Sequence, residues 1–239
     1  MRTSDADVIR IDFPHSAVAD NEHFPRSKSG HAAERDNVEH VADAPPGRVS
    51  EAEYLAIKRR QLVEFDDGGI EVLPVPTLFH QAIVDFLHGM LNKYLEGKSL
   101  GKAFFAPVPV WLWEGKYREP DVFFLRAERI GSMHTFPRGA DLVIEVVSES
   151  EESRQRDLQQ KRNDYARAGI PEYWIVDPET RSVLVLFLDC GAYRVHGQFA
   201  AAQTASSRLL PGFEVDVHEV FAAGEQPMNP SPTGQQPTG

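Results

Sequence analysis

Glu145 stands in the middle of LVIEVV, a run that is otherwise apolar and rich in β-branched residues. An ionised carboxylate in such a strand is costly to bury unless it meets a cation, a metal ion or several hydrogen-bond donors. Asp121, in EPDVFFL, is a second acid at the entry to an apolar run. Each has an ordinary explanation: a buried Arg or Lys can hold Glu145, and Asp after Pro is a common strand-entry residue. The pair says more than either member. Two acids on neighbouring strands can converge on one divalent cation, and hard oxygen ligands suit magnesium or manganese better than zinc. A magnesium ion held by two carboxylates, with water and a substrate phosphate completing its shell, is the apparatus of phosphodiester hydrolysis.

That chemistry gains from a cation beside the attacking water or the scissile phosphate. Lys161 is the candidate, because it follows the Glu145 strand on a polar helix. Asp157, Lys161 and Tyr165 are spaced by four and share one row of that helix. The same spacing also suits a surface Asp–Lys pair with a core tyrosine. The stretch SRQRDLQQKRNDYARA holds Arg154, Arg156, Lys161, Arg162 and Arg167 against two acids, and Lys116 and Arg118 precede Asp121. Together they suggest a local basic strip for nucleic acid, although a solvated helix face explains the charges as well.

The elements that must position these residues follow from pattern. SEAEYLAIKRR reads as a short helix. LVEF and IEVL are β-rich runs joined by DDGG, a tight-turn signal. A long helix is expected over residues 77–96, with Thr77 as N-cap and Gly97 at its end. Its stripe is Leu78, Ala82, Phe86, Leu87, Met90, Leu91, Tyr94 and Leu95. AFFAPVPVWLW reads as one extended segment that Pro107 and Pro109 confine to an edge or a bulge. DLVIEVVS and EYWIVD are continuous apolar runs, the mark of strands covered on both faces. A helix over roughly 152–168 lies between them. SVLVLFL and YRVHGQF form a second hairpin, and LLPGFEVDVHEVF supplies a last strand and helix. The order describes an α/β (α+β) domain, a mixed sheet flanked by two principal helices.

Composition bounds the setting. Of 239 residues, 41% are hydrophobic and 26% charged, which excludes wholesale disorder and a fibrous repeat. A single cysteine, Cys190, excludes a disulfide framework and a thiolate zinc cage. No apolar run is long enough to span a membrane, and the first residues lack a signal-peptide core, so the expected location is cytoplasmic. Residues 1–48 read as a disordered leader without Tyr or Trp, and 225–239 as a Pro/Gly/Gln tail, leaving a domain over 49–224. The net charge is −11 for the chain, and 19 basic against 26 acidic residues leave the domain at −7. A histone-like coat on nucleic acid is therefore excluded. DNA as substrate would have to approach along the side of Lys116, Arg118 and Arg154–Arg167.

At EPDVFFL, DLVIEVVS, the D-x-x-x-K-x-x-x-Y row and GIPEYWIVDP, the sequence resembles the Uma-type family of prokaryotic endonucleases, within the PD-(D/E)xK restriction-endonuclease-like superfamily. The likeness runs from about Tyr54 to Phe221 and takes in FDDGGIEVLPVPTLFHQ and LLPGFEVDV. It implies a restriction-endonuclease-like mixed sheet and a metal-dependent endodeoxyribonuclease acting on DNA. It also implies Mg2+ or Mn2+ bound by Asp121, Glu145 and the backbone carbonyl of Val146. The superfamily's E-x-K lysine would fall at Val147, a departure that transfers its role to Lys161. His80 and Gln81 match the family pattern and are expected to line the site, with Glu71 and Glu64 as further acidic candidates. Double-strand cleavage needs two sites, which a homodimer would supply. A catalytically inert DNA- or protein-binding module that keeps the fold is the alternative, favoured by Val147 and the negative charge.

Overall fold

The computed structural model describes residues 48–56, 62–148, 154 and 156–225, and the expected leader and tail fall outside them, apart from Arg48 and Glu225. A short helix α1 (Glu51–Ala56) precedes the first hairpin. Strands β1 (Val63–Asp66) and β2 (Gly69–Val72) pair antiparallel through Asp67 and Gly68, at φ 44° and 85°. Both central residues of a two-residue hairpin turn of this kind need positive φ, which the Asp-Gly pair tolerates. Helix α2 (Leu78–Leu95) begins where Thr77 accepts the His80 backbone N–H. It buries Ile83, Val84, Leu87, Leu91 and Leu95. Leu78 departs from the expected stripe: it lies in the first turn and is 91% exposed.

AFFAPVPVWLW is two strands in two sheets, not one segment. The chain runs through β3 (Gly101–Phe105), then β4 (Val110–Trp113), β5 (Lys116–Arg118) and β6 (Val122–Arg126). Pro107 and Pro109 have no N–H for a ladder, so pairing with β6 stops at Phe105. Pairing resumes only at Val110, against β5. The result is a four-stranded sheet, β2-β1-β5-β4, that the sequence pattern did not announce.

The larger sheet has the order β10-β9-β8-β7-β6-β3. Its remaining members are β7 (Leu142–Val146), β8 (Glu172–Asp177), β9 (Ser182–Asp189) and β10 (Ala192–Ala200). Only β7 and β8 run parallel within it, so the sheet is mixed. Every residue of β7 and β8 is buried, as continuous apolar runs require. On one face Val122, Phe124, Leu142, Ile144 and Trp174 pack with α2 and with α4 (Val217–Glu225). On the other, Phe123, Val143, Val147 and Tyr173 pack with Tyr165 and Ile170.

The β7–β8 crossover ends in a wide turn with i→i+5 bonding over Arg156–Gln160, followed by α3 (Lys161–Arg167). Such a turn breaks the uniform 3.6-residue period, so the expected row of four-residue spacing is secure only from Lys161 to Tyr165. A small pair, β11 (Thr204–Ser206) with β12 (Glu214–Asp216), leads into α4.

Candidate functional site

Strand register brings the two acids together. β6 and β7 are antiparallel with Val122 opposite Ile144, so one pair further along Asp121 falls opposite Glu145. Asp121 is 9% exposed and Glu145 2%. The Val146 N–H donates to Asp121 Oδ2 at 2.8 Å. From the first turn of α2, His80 Nε2 lies 3.0 Å from the Val146 carbonyl oxygen and 3.3 Å from Asp121 Oδ2. A carbonyl oxygen only accepts, so Nε2 carries a proton.

Burial acts to lower the His80 pKa, but the hydrogen bond and charge of Asp121, the Val146 carbonyl and the charge of Glu145 together raise it above its ordinary value. Burial acts to raise Asp121. The His80 hydrogen bond and charge, the Lys161 charge and the Val146 N–H outweigh it and hold the carboxyl below its usual range. Asp121 is therefore ionised at neutral pH.

Glu145 is held from α3. Lys161 Nζ donates to Oε2 at 2.8 Å and the Tyr165 hydroxyl to Oε1 at 2.5 Å. Lys161 and Tyr165 are themselves buried. Burial first, and then the charges of Glu145 and Glu64, keep the Tyr165 phenol well above its ordinary pKa, so it remains a donor. Behind Lys161 stands Glu64 of β1, with Oε1 3.7 Å from Nζ. Glu64 accepts from Arg118 Nη1 and from the Glu119 N–H. Arg118 also donates to Asp164 Oδ2 through Nε at 3.0 Å and Nη2 at 2.6 Å. The four-stranded sheet thus serves the site by delivering Glu64 and Arg118 to the helix that carries Lys161.

Residues 51–218, well over half the chain, match the Uma2 family, described as "Putative restriction endonuclease". The chain belongs to this family. Among solved structures, the Uma2 chain is similar to the crystal structure of "a putative nuclease belonging to DUF820" from Anabaena variabilis. The TM-score is 0.60 at 16% identity, over 74% of this chain and 99% of that one, a likeness that shows the mixed α/β fold. No curated protein matches.

The remaining expected residues of this Uma2 chain separate clearly. Lys116 and Arg118, expected on a basic strip, are 4% and 2% exposed. Lys116 Nζ meets Asp66 at 2.6 Å and Asp164 at 3.2 Å. Both are buried and paired with carboxylates of the same chain, so they present no exposed basic surface. Arg118 stays cationic: burial lowers its pKa, but Glu64 and Asp164 raise it further. Gln81 is exposed. Glu71 is 41% exposed, with Oε2 3.5 Å from Arg118 Nη1. Arg154 is bonded to Asp177 through both terminal nitrogens, at 2.9 and 2.8 Å. Arg162 reaches the Tyr193 carbonyl at 3.4 Å. The side chains of Arg156 and Asp157 lie outside the described residues. Asp164 was missed, although its position three residues after Lys161 places it near the same helix face.

Among the described residues no group of three or more His, Cys, Asp and Glu side chains is gathered to hold a metal ion. The donor chemistry of Asp121, Glu145 and the Val146 carbonyl nevertheless fits magnesium, which uses one or two carboxylates and leaves its other positions to water and phosphate. Val147, two residues after Glu145, is 2% exposed and part of the core. A cleft of about 400 Å³ opens at the carboxyl ends of β7 and β8, lined by Phe79, Val147, Ser148, Arg154, Pro178 and Arg181 among others. Neither Asp121 nor Glu145 lines it, although it lies at the strand edge where open α/β sheets bind ligands.

Proposed function

We propose that this chain is a metal-dependent endonuclease that hydrolyses DNA phosphodiester bonds, with Mg2+ or Mn2+ held by Asp121, Glu145 and the Val146 carbonyl. The observation that carries the reading is two buried acids, Asp121 just before β6 and Glu145 in the neighbouring β7, the first accepting the Val146 N–H and the second 2.8 Å from a buried lysine. Such a metal, when bound, polarises the phosphate and lowers the pKa of the attacking water. Asp121 supplies a fixed negative charge at neutral pH. Lys161, held between Glu145 and Glu64, orients the water or neutralises charge that develops on the phosphate. Tyr165 fixes the free rotation of Glu145 by donating to its Oε1. Lys161 thereby takes the part that Val147 cannot, from the following helix.

The test is plasmid nicking by purified protein with magnesium or manganese. Asp121→Ala is expected to abolish it. Equal cleavage by the variant would assign the activity to a contaminant and end the proposal.

A second reading is an inert DNA- or protein-binding module. It is favoured by the burial of Val147 and by the engagement of both Glu145 oxygens within the protein. Calorimetric titration with manganese separates the two. Binding lost in Glu145→Ala supports the nuclease, and absence of binding at millimolar manganese supports the module.

A further inference from the structure

We infer that His80 is a displaceable plug in the metal site, not one of its ligands; the inference rests on the metal site proposed above. Its Nε2–H points at the Val146 carbonyl and the Asp121 carboxylate, two of the three groups assigned to the cation. The positive end of an N–H dipole and a divalent cation compete for the same oxygens.

Two details argue against His80 as a ligand. A ligating imidazole presents a bare nitrogen to the metal, whereas Nε2 here carries the proton that the carbonyl accepts. A ligating histidine also almost always donates its other ring N–H to a carboxylate, carbonyl or water, which fixes the ring. His80 Nδ1 is buried, and no hydrogen-bond partner reaches it among the described residues. Among the described residues the ring is thus tethered only on the side that the cation would claim. The backbone beneath it is fixed separately, since the His80 N–H is bonded to Thr77 Oγ1. A turn about the side-chain bonds can withdraw the plug without unwinding α2. In the metal-free protein His80 satisfies oxygens that would otherwise repel one another. On metal entry it yields them.

Calorimetry with Mn2+ alone, on the full chain, tests this. Removing the competing hydrogen bond in His80→Ala should tighten Mn2+ binding by about three- to tenfold. Unchanged or weaker affinity would overturn the inference, weaker affinity making His80 a ligand. Should His80→Ala fail to fold, the imidazole Nε2–H resonance of the unaltered protein serves instead. It should be lost or strongly shifted at saturating Mg2+, and a resonance that stays in place overturns the plug. Asp121→Ala separates the two levels of the argument. Mn2+ binding indifferent to Asp121 defeats the metal site itself, while Asp121-dependent binding that ignores His80 defeats only the plug.

Discussion

Glu145 and Glu172 are buried to 2% and 1% on neighbouring parallel strands, β7 and β8, yet their surroundings differ in kind. Glu172, at the amino end of β8, is held by neutral donors. Ser207 Oγ and Trp174 Nε1 reach Oε1 at 2.6 and 2.8 Å, and the Arg208 and Leu209 N–H groups both reach Oε2 at 2.7 Å. Glu145, at the carboxyl end of β7, is held by a lysine and a tyrosine from one helix. Backbone donors cannot leave without unfolding their loop, whereas side-chain donors can pivot. Glu172 therefore reads as a clamp on the loop between β11 and β12, whereas Glu145 ties β7 to the helix that carries Lys161 and Tyr165. Burial alone does not distinguish these two glutamates; the kind of partner does.

The largest expected effect comes from Glu145→Gln, which keeps shape and removes charge. Nicking should fall by about 10³-fold, the scale of losing a group that acts on transition-state charge. The melting temperature should move little, because one carboxylate is lost while Lys161 retains Glu64 within reach. A large drop in melting temperature with unchanged Mn2+ affinity would make Glu145 a clamp like Glu172 and erase the contrast.

Glu172→Gln should behave in the opposite way. The amide nitrogen must face donors that need an acceptor, so at least one buried N–H or O–H is left unpaired, at about 2–4 kcal/mol. For a domain of this size that is roughly 4–16 °C in melting temperature. Nicking per folded molecule should be retained. Loss of activity without loss of stability would move Glu172 into the functional class.

The difference between these glutamates was only half legible in the sequence. Glu145 stood out because it interrupts an apolar run on both sides. Glu172 opens its strand after Pro171, where an acid looks like ordinary strand entry, and its loop partners lie 35 to 37 residues away. The same distance problem hid the fate of Lys116 and Arg118. Spacing suggests a basic strip, but the acids that absorb Arg118 come from 54 and 46 residues away. The hairpins, α2 and the two-sided burial of β7 and β8 were readable because turn chemistry and periodicity are local. The four-stranded sheet was not, because β5 is only Lys116–Arg118 and carries a charge at either end.

Lys161 sharpens the comparison further. Lys161→Met leaves Glu145 buried with Tyr165 but without its cation, which should cost about 3 kcal/mol or more and also reduce nicking. In the double variant Lys161→Met/Glu145→Gln much of that stability should return, since no unpaired charge remains, while nicking stays absent. Thermal melts of the two variants decide it. Equal destabilisation would mean that the Lys161–Glu145 bond is not the source of the cost.

Asp177, at the carboxyl end of β8, lies between the two extremes and gives the smallest effect. Hydrogen bonds from Arg154 hold its carboxyl below the ordinary value, against a smaller opposing effect of burial, with further help from Thr180, the Arg154 charge and the Glu179 N–H. A depressed folded-state pKa means that the unfolded chain binds the proton more readily. The stabilisation is complete above the ordinary aspartate value of 3.8 and is lost as the pH falls through the lower folded-state value. Asp177→Asn should therefore lower the melting temperature slightly at pH 7 and leave it nearly unchanged at the acid end. Because asparagine keeps one acceptor oxygen for Arg154, the difference should stay near ~1 kcal/mol. A variant penalty that persists undiminished at pH 2 would mean that Asp177 acts through hydrogen-bond geometry rather than charge, and would place it with Glu172.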